Sequence, residues 1–162
     1  MSDSNVLPDL AELAANAVRD VLQIQFKLQF KQEAAAQSSL DNPVSAQVAI
    51  HGGGMEGAVS VQVARSLAVP MLETMLGAPC PPEELEPALQ DLARELCNML
   101  AGRFGAYLAD AGHPVDLGIP DSTVPVEVSA SEASAGSDQY HGRWVCDGQP
   151  LEAKFDFRTT HR

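Results

Sequence analysis

The sequence predicts an α+β fold: an antiparallel sheet of about six strands packed by about three helices. Three observations predict it. Helical spacing of apolar residues is confined to one amino-terminal segment and one central group, with strand-like runs before and after that group. Several of those runs alternate apolar and polar residues with a period of two and are joined by glycine-containing turns. The chain has 162 residues with 45% apolar content, which suits one domain around one core, here taken as residues 1–162. The order α-β-β-β-α-α followed by strands gives no repeated strand-helix-strand unit, so a doubly wound parallel sheet is set aside.

Each element has its own reason. Over residues 7–22, Leu10, Leu13, Ala14, Ala17, Val18 and Val21 recur every three or four positions, the stripe of an amphipathic helix. The period then changes to two, with Ile24, Phe26, Leu28 and Phe30 alternating with polar residues, which predicts a half-buried strand over 23–31. After a connection over 33–43, β-prone runs at 44–50 and 57–63 flank His51-Gly52-Gly53-Gly54, a hairpin turn. Residues 65–76 return to helical spacing, with Pro70 as an irregularity and Gly77 as a stop. Pro81, Pro82 and the acidic Glu83, Glu84 and Glu86 open the longest helix, which runs to about Ala111. Short strands are expected at 115–119 and 124–128, a mobile loop at 129–137, and a terminal hairpin at 139–146 and 151–158 joined through Asp147-Gly148.

Charge narrows the function classes. Ten Lys and Arg against 22 Asp and Glu give a formal net charge of -12, which disfavours binding to nucleic acid or to an anionic membrane and favours a partner with basic groups. Cys80, Cys97 and Cys146 are odd in number and widely spaced, unlike a secreted disulfide framework. The amino end carries Asp3, Asp9 and Glu12 without a basic leader segment, so a cytoplasmic location is expected.

The long helix holds the informative residues. At about 100° per residue, Leu85, Leu89, Leu92, Leu96, Met99, Leu100 and Tyr107 gather on one side as its core face. Glu95, Asn98 and Gly102 fall within roughly 40° of Asp91 on the opposite side. Asn98 costs a few tenths of a kcal/mol in a helix interior, and Gly102 and Gly105 cost roughly 1 kcal/mol each relative to Ala. Such glycines would leave a flat strip on which another protein could lie close. From periodicity alone, the commoner reading is a solvated face with glycines that relieve crowding.

The pattern Asp91-x-x-x-Glu95-x-x-Asn98, followed by Met99-Leu100-Ala101-Gly102, resembles the active helix of the CheX-type chemotaxis phosphatases, relatives of CheC and FliY that dephosphorylate the response regulator CheY. The resemblance covers residues from about 20 to 158 and includes the Gly57-Ala58-Val59 hairpin, Met71-Leu72-Glu73-Thr74-Met75-Leu76-Gly77, and Gly118-Ile119-Pro120. It implies a two-layer CheX-like sandwich acting on a phosphorylated CheY-like receiver domain. By that resemblance Asn98 orients the water that attacks the aspartyl phosphate, and Glu95 docks onto the receiver's lysine. Asp91 and Gly102 belong to the partner-binding surface. An acyl phosphate is already activated, so an aligned water and charge stabilisation suffice. The resemblance also implies a homodimer, with the strand over 23–31 or the terminal hairpin as its surface. It further implies no cofactor or metal on this chain, the magnesium ion being held by the receiver. The competing reading is a non-catalytic acidic adaptor that binds a receiver, or dimerises, through the same helix.

Other motifs carry less. His51-Gly52-Gly53-Gly54 is similar to a lipase oxyanion motif, but no Gly-x-Ser-x-Gly elbow accompanies it. His51, His113, His141 and His161 lack zinc-site spacing, and no Walker loop or dinucleotide fingerprint is present. Cys97 reads as a small packing residue, and Tyr140 and Trp144 as core or interface aromatics on one face of a strand.

Overall fold

A computed structural model describes residues 9–33, 40, 42–121 and 137–159. The strand expected at 124–128 and nearly all of the loop expected at 129–137 lie outside them. The elements run α1 (Leu10–Asp20), a π-helical turn (Val21–Gln25), β1 (Lys31–Glu33), β2 (Val44–Gly52), β3 (Met55–Val63), α2 (Arg65–Leu76), a 3-10 turn (Pro82–Glu84), α3 (Leu85–Asp110), β4 (Asp116–Leu117), β5 (Ser137–Cys146) and β6 (Gln149–Thr159). The six strands form one sheet in the order β1-β5-β6-β3-β2-β4, and every pairing is antiparallel. This is the α+β arrangement expected from the order of the elements.

Two tight turns set the registers. Gly53 and Gly54, with φ of 59° and 79°, join β2 to β3, and Asp147 and Gly148, with φ of 51° and 78°, join β5 to β6. Positive φ at both central positions is the geometry whose twist matches paired strands. In those registers Val48, Ile50, Val59, Val61, Phe155 and Phe157 face one way, and all are buried against the helices. Trp144 is also buried, its ring over the backbone of Gly142, where an added Cβ would lie 2.2 Å from it. Tyr140 meets that ring edge-on at 6.4 Å, the shared face expected from their even spacing.

On the opposite face the charges are paired. Arg143 lies 3.2 Å from Glu152 and 3.9 Å from Glu33, and His141 lies 3.6 Å from Glu152. Glu152 is buried despite its place on the polar alternation, and two cationic or polar neighbours compensate its desolvation.

The segment over 23–31 departs from the expected strand. Asp9 caps α1 through bonds from the Ala11 and Glu12 amides, but the helix continues past Asp20 as a π turn, and the Leu28 amide donates to the Leu22 carbonyl at 2.9 Å. Lys27 then takes φ of 53°, and only Lys31–Glu33 pairs with β5. Phe26 is buried and Leu28 and Phe30 are half-buried, so the alternation records burial without a partner strand, while Ile24 points outward at 61% exposure. The strand named from the sequence as one dimer surface is thus not formed over 23–30. The terminal hairpin lies between β1 and β3, and β1 pairs with β5 only at Arg143–Val145 among the described residues.

α2 keeps Pro70 within its helix and ends at Gly77, whose φ of 71° closes the last turn through a bond to the Glu73 carbonyl.

Candidate functional site on the long helix

α3 is held by one face. Leu89, Leu92, Ala93, Leu96, Cys97, Leu100, Ala101, Phe104 and Leu108 are all buried. Phe104 sits with ring centroids 4.9 Å from Phe155 and 5.0 Å from Phe157, and the Cys97 thiol donates to the Val59 carbonyl at 3.2 Å. Burial pushes that thiol up to about 12, so Cys97 is the packing residue expected and not a thiolate. The core face is turned from the one drawn from leucine spacing. Leu85, Met99 and Tyr107 lie at its half-buried margin, whereas Ala93, Cys97 and Phe104 lie within it. Leucine spacing alone leaves out the small and aromatic residues that complete this face.

Opposite this face, Asp91, Glu95 and Asn98 are exposed, and Gly102 is half-buried. The structure thus brings all four residues onto one stripe. Asp91 is the first to be occupied, because the Arg94 guanidinium donates to its carboxylate across one turn. Among the described residues, Glu95 and Asn98 have no hydrogen bond or ion pair to another side chain. Three residues apart, they rise about 4.5 Å along the axis and face the same way. A carboxylate and an amide therefore stand free on a helix whose opposite side cannot shift without disturbing the core.

The glycine strip is partly roofed. A Cβ at Gly105 would touch Val115 at 3.4 Å and Leu117 at 3.9 Å, and one at Gly102 would meet Leu117 at 3.9 Å. Gly105 is therefore covered by side chains of the same chain, where an open surface was expected. Gly102 keeps an open side: it lines a groove of about 320 Å³ with Ile24, Gln25, Met99, Arg103 and Ala106. A larger hollow, about 440 Å³, lies on the outer face of the sheet between His51, Ala58, Asp156 and Arg158, away from the stripe. Size does not make it the site, because its Glu56 and Arg158 are already paired at 2.5 Å.

One cluster was not read from the sequence. Arg103 donates to Asp20 at 2.9 Å, the Tyr107 hydroxyl donates to the same carboxylate oxygen, and the Arg103 guanidinium lies 5.5 Å from the Tyr107 ring centre. Burial raises the Asp20 carboxyl, but the bonds from Tyr107 and Arg103 and the Arg103 charge outweigh it and hold it below its usual range. The cluster ties the end of α1 to α3 just beyond Gly102. Arg103 and Tyr107 were visible as an i, i+4 pair, but their partner is more than eighty residues away in sequence.

The family model described as "Chemotaxis phosphatase CheX" matches residues 44–138, more than half of the chain and all four residues of the stripe. The chain belongs to the CheX family. Solved structures agree on the CheX fold. The chemotaxis protein CheX from Vibrio vulnificus is 20% identical with a TM-score of 0.75, covering 96% of this chain and 100% of that one. A CheX-CheY-BeF3-magnesium complex from Borrelia burgdorferi is 18% identical with a TM-score of 0.72, covering 93% and 98%. A CheC-like superfamily protein from a Shewanella species is 20% identical with a TM-score of 0.75, covering 93% and 97%. At such identities the likeness is one of CheX fold. A search of curated proteins gives no match. Among the described residues, no helix is long and apolar enough to cross a membrane, and no group of three His, Cys, Asp or Glu is placed to hold a metal ion.

Proposed function

We propose that this CheX-family chain hydrolyses the aspartyl phosphate of a CheY-like response regulator. The observation that carries the reading is the pair Glu95 and Asn98, exposed and unengaged among the described residues on the solvent side of a helix anchored by its buried face. An amide can accept from a water and donate to a phosphoryl oxygen at once, which suits alignment of an attacking water. The water oxygen bonds to phosphorus as the bond to the aspartyl oxygen breaks, giving inorganic phosphate and a free carboxylate on the receiver. No nucleophile on this chain is consumed. The magnesium ion that neutralises the phosphoryl charge belongs to the receiver in this scheme, and Glu95 pairs with the receiver's lysine.

Asp91, already neutralised by Arg94, has the weaker claim to partner contact and serves to orient that part of the helix surface. The CheX-CheY complex among the structural relatives supports a receiver as the class of partner. A cytoplasmic homodimer completes the proposal, with the outer face of the β5-β6 hairpin as a candidate surface.

The test is the decay of a phosphorylated receiver from the same organism, with catalytic amounts of the chain or of Asn98→Ala. Acceleration by the native protein that is lost in the variant, with binding retained, is the expected result. Binding without acceleration by the native protein would refute the enzyme and leave the adaptor.

A further inference from the structure

Ile119 is the most exposed large apolar residue among those described, at 90%. It does not lie in an ordinary strand. Ile50 pairs with Leu117 and His51 with Asp116, yet Gln47 pairs with Asp121, so four steps along the edge are set against three along β2. Gly118-Ile119-Pro120 is therefore a bulge. The Gly118 amide donates to the Ala49 carbonyl at 2.7 Å, and Pro120, lacking an amide hydrogen, is tolerated at an edge bulge. A bulge re-aims a side chain, and here it turns an isoleucine into solvent.

Its position relates it to the stripe. Val115 lies over Gly105, and Leu117 lies over Gly105 and Gly102, so this edge runs back along α3 toward Asn98. Ile119 follows Leu117 by two residues on this same edge. Across the stripe, Ile24 at 61% exposure and the half-buried Met99 border the groove whose floor includes Gly102. Exposed apolar side chains thus flank the polar stripe on both sides, with Gly102 common to stripe, groove and edge.

We propose that Ile119 and Leu117 on one flank, and Ile24 on the other, form an apolar rim that docks the receiver domain around its phosphorylated aspartate. The inference rests on the phosphatase reading and names the residues that set its affinity. Glu95 and Asn98 alone present far less than the roughly 800 Å² that a specific interface buries on each partner. A receiver whose phosphate meets Asn98 must cover the next turn at Gly102, about 6 Å along the axis, and with it both flanks. An apolar rim around a polar centre adds buried area to the docked complex and leaves the alignment of the water to the polar pair inside it.

The test compares the native chain with Ile119→Ser, Ile24→Ser, the conservative Ile119→Val, and Met75→Ser, an exposed apolar control on α2. The readouts are affinity for a receiver loaded with beryllofluoride, turnover on the phosphorylated receiver, and oligomeric state. Both rim serine variants are expected to bind about tenfold more weakly or worse and to raise KM while kcat holds; Ile119→Val, one methylene shorter, falls between Ile119→Ser and native, and Met75→Ser behaves as native. Native affinity in Ile119→Ser overturns the rim, and so does a change of oligomeric state at unchanged receiver affinity, which gives the patch to a second copy. Native binding without turnover overturns the phosphatase reading and leaves the affinities to decide the rim. A native chain that neither binds nor hydrolyses any receiver overturns both.

Discussion

Replacing Phe104 by Ala removes the ring that joins α3 to β6. Phe104 is fully buried and lies within 5.0 Å of both Phe155 and Phe157, ring centre to ring centre. The surrounding wall comes from two elements that cannot close together, because β6 is held in register by β3 and β5 on either side. A buried Phe→Ala change costs about 3–5 kcal/mol when the cavity persists, and two aromatic contacts place this site in the upper part of that range. A domain of this size has about 5–15 kcal/mol in total, and each kcal/mol moves Tm by about 2–4 °C. The variant should therefore melt at least 8 °C below the native chain, with the urea midpoint lowered at unchanged slope. Asn98 lies six residues before the cavity on the same helix, so turnover of a phosphorylated receiver well below the new Tm should stay within a few-fold of native. A loss under 1 kcal/mol would refute the claim that this ring anchors the helix, and full loss of turnover in a folded variant would show that the stripe depends on more than that helix's backbone.

Other expectations follow from single contacts. Because the Asp20 carboxyl is held low, its contribution is present above the usual carboxyl value of about 3.9 and is lost as pH falls through its own lower value. Asp20→Asn should lower Tm at neutral pH, with the gap to native narrowing as pH falls below about 4, and a gap that stays constant as the pH is lowered through the acid range would remove the bonds from Tyr107 and Arg103 as the cause. Burial raises Cys97 to about 12 and, with the negative charge of Asp147, Cys146 to about 11, so a thiol reagent at pH 8 should label Cys80 promptly and the other two only on unfolding. Three prompt thiols in the folded protein would contradict this packing. Gly102→Ala meets only Leu117, at 3.9 Å, and should stabilise the chain by about 0.5–1 kcal/mol in chemical denaturation while weakening turnover through KM. Stabilisation with native KM would free Gly102 from partner contact.

The local elements were legible because each depends on short-range patterning. The two hairpins announce themselves by glycine-containing turns between β-prone runs, α2 by its Gly77 stop, and the beginning of α3 by Pro81, Pro82 and three glutamates. The candidate site was legible for the same reason, since Asp91, Glu95, Asn98 and Gly102 come from one helix, where spacing alone fixes direction. Residues 23–31 failed that logic. Alternation of Phe26, Leu28 and Phe30 is what a strand and a half-buried irregular segment have in common, and backbone conformation and the presence of a partner strand separate them.

What the amino-acid sequence determined by itself was therefore the antiparallel α+β class, the long helix and the polar stripe along it. Tertiary structure decided what surrounds that stripe. Leu117 over Gly102, the bulge that exposes Ile119, the π turn that presents Ile24, and the Asp20 bond to Arg103 all join residues far apart in sequence. Helical and strand periodicity are backbone properties that repeat every few residues, whereas the flanks of a site are set by which distant segments the core brings together.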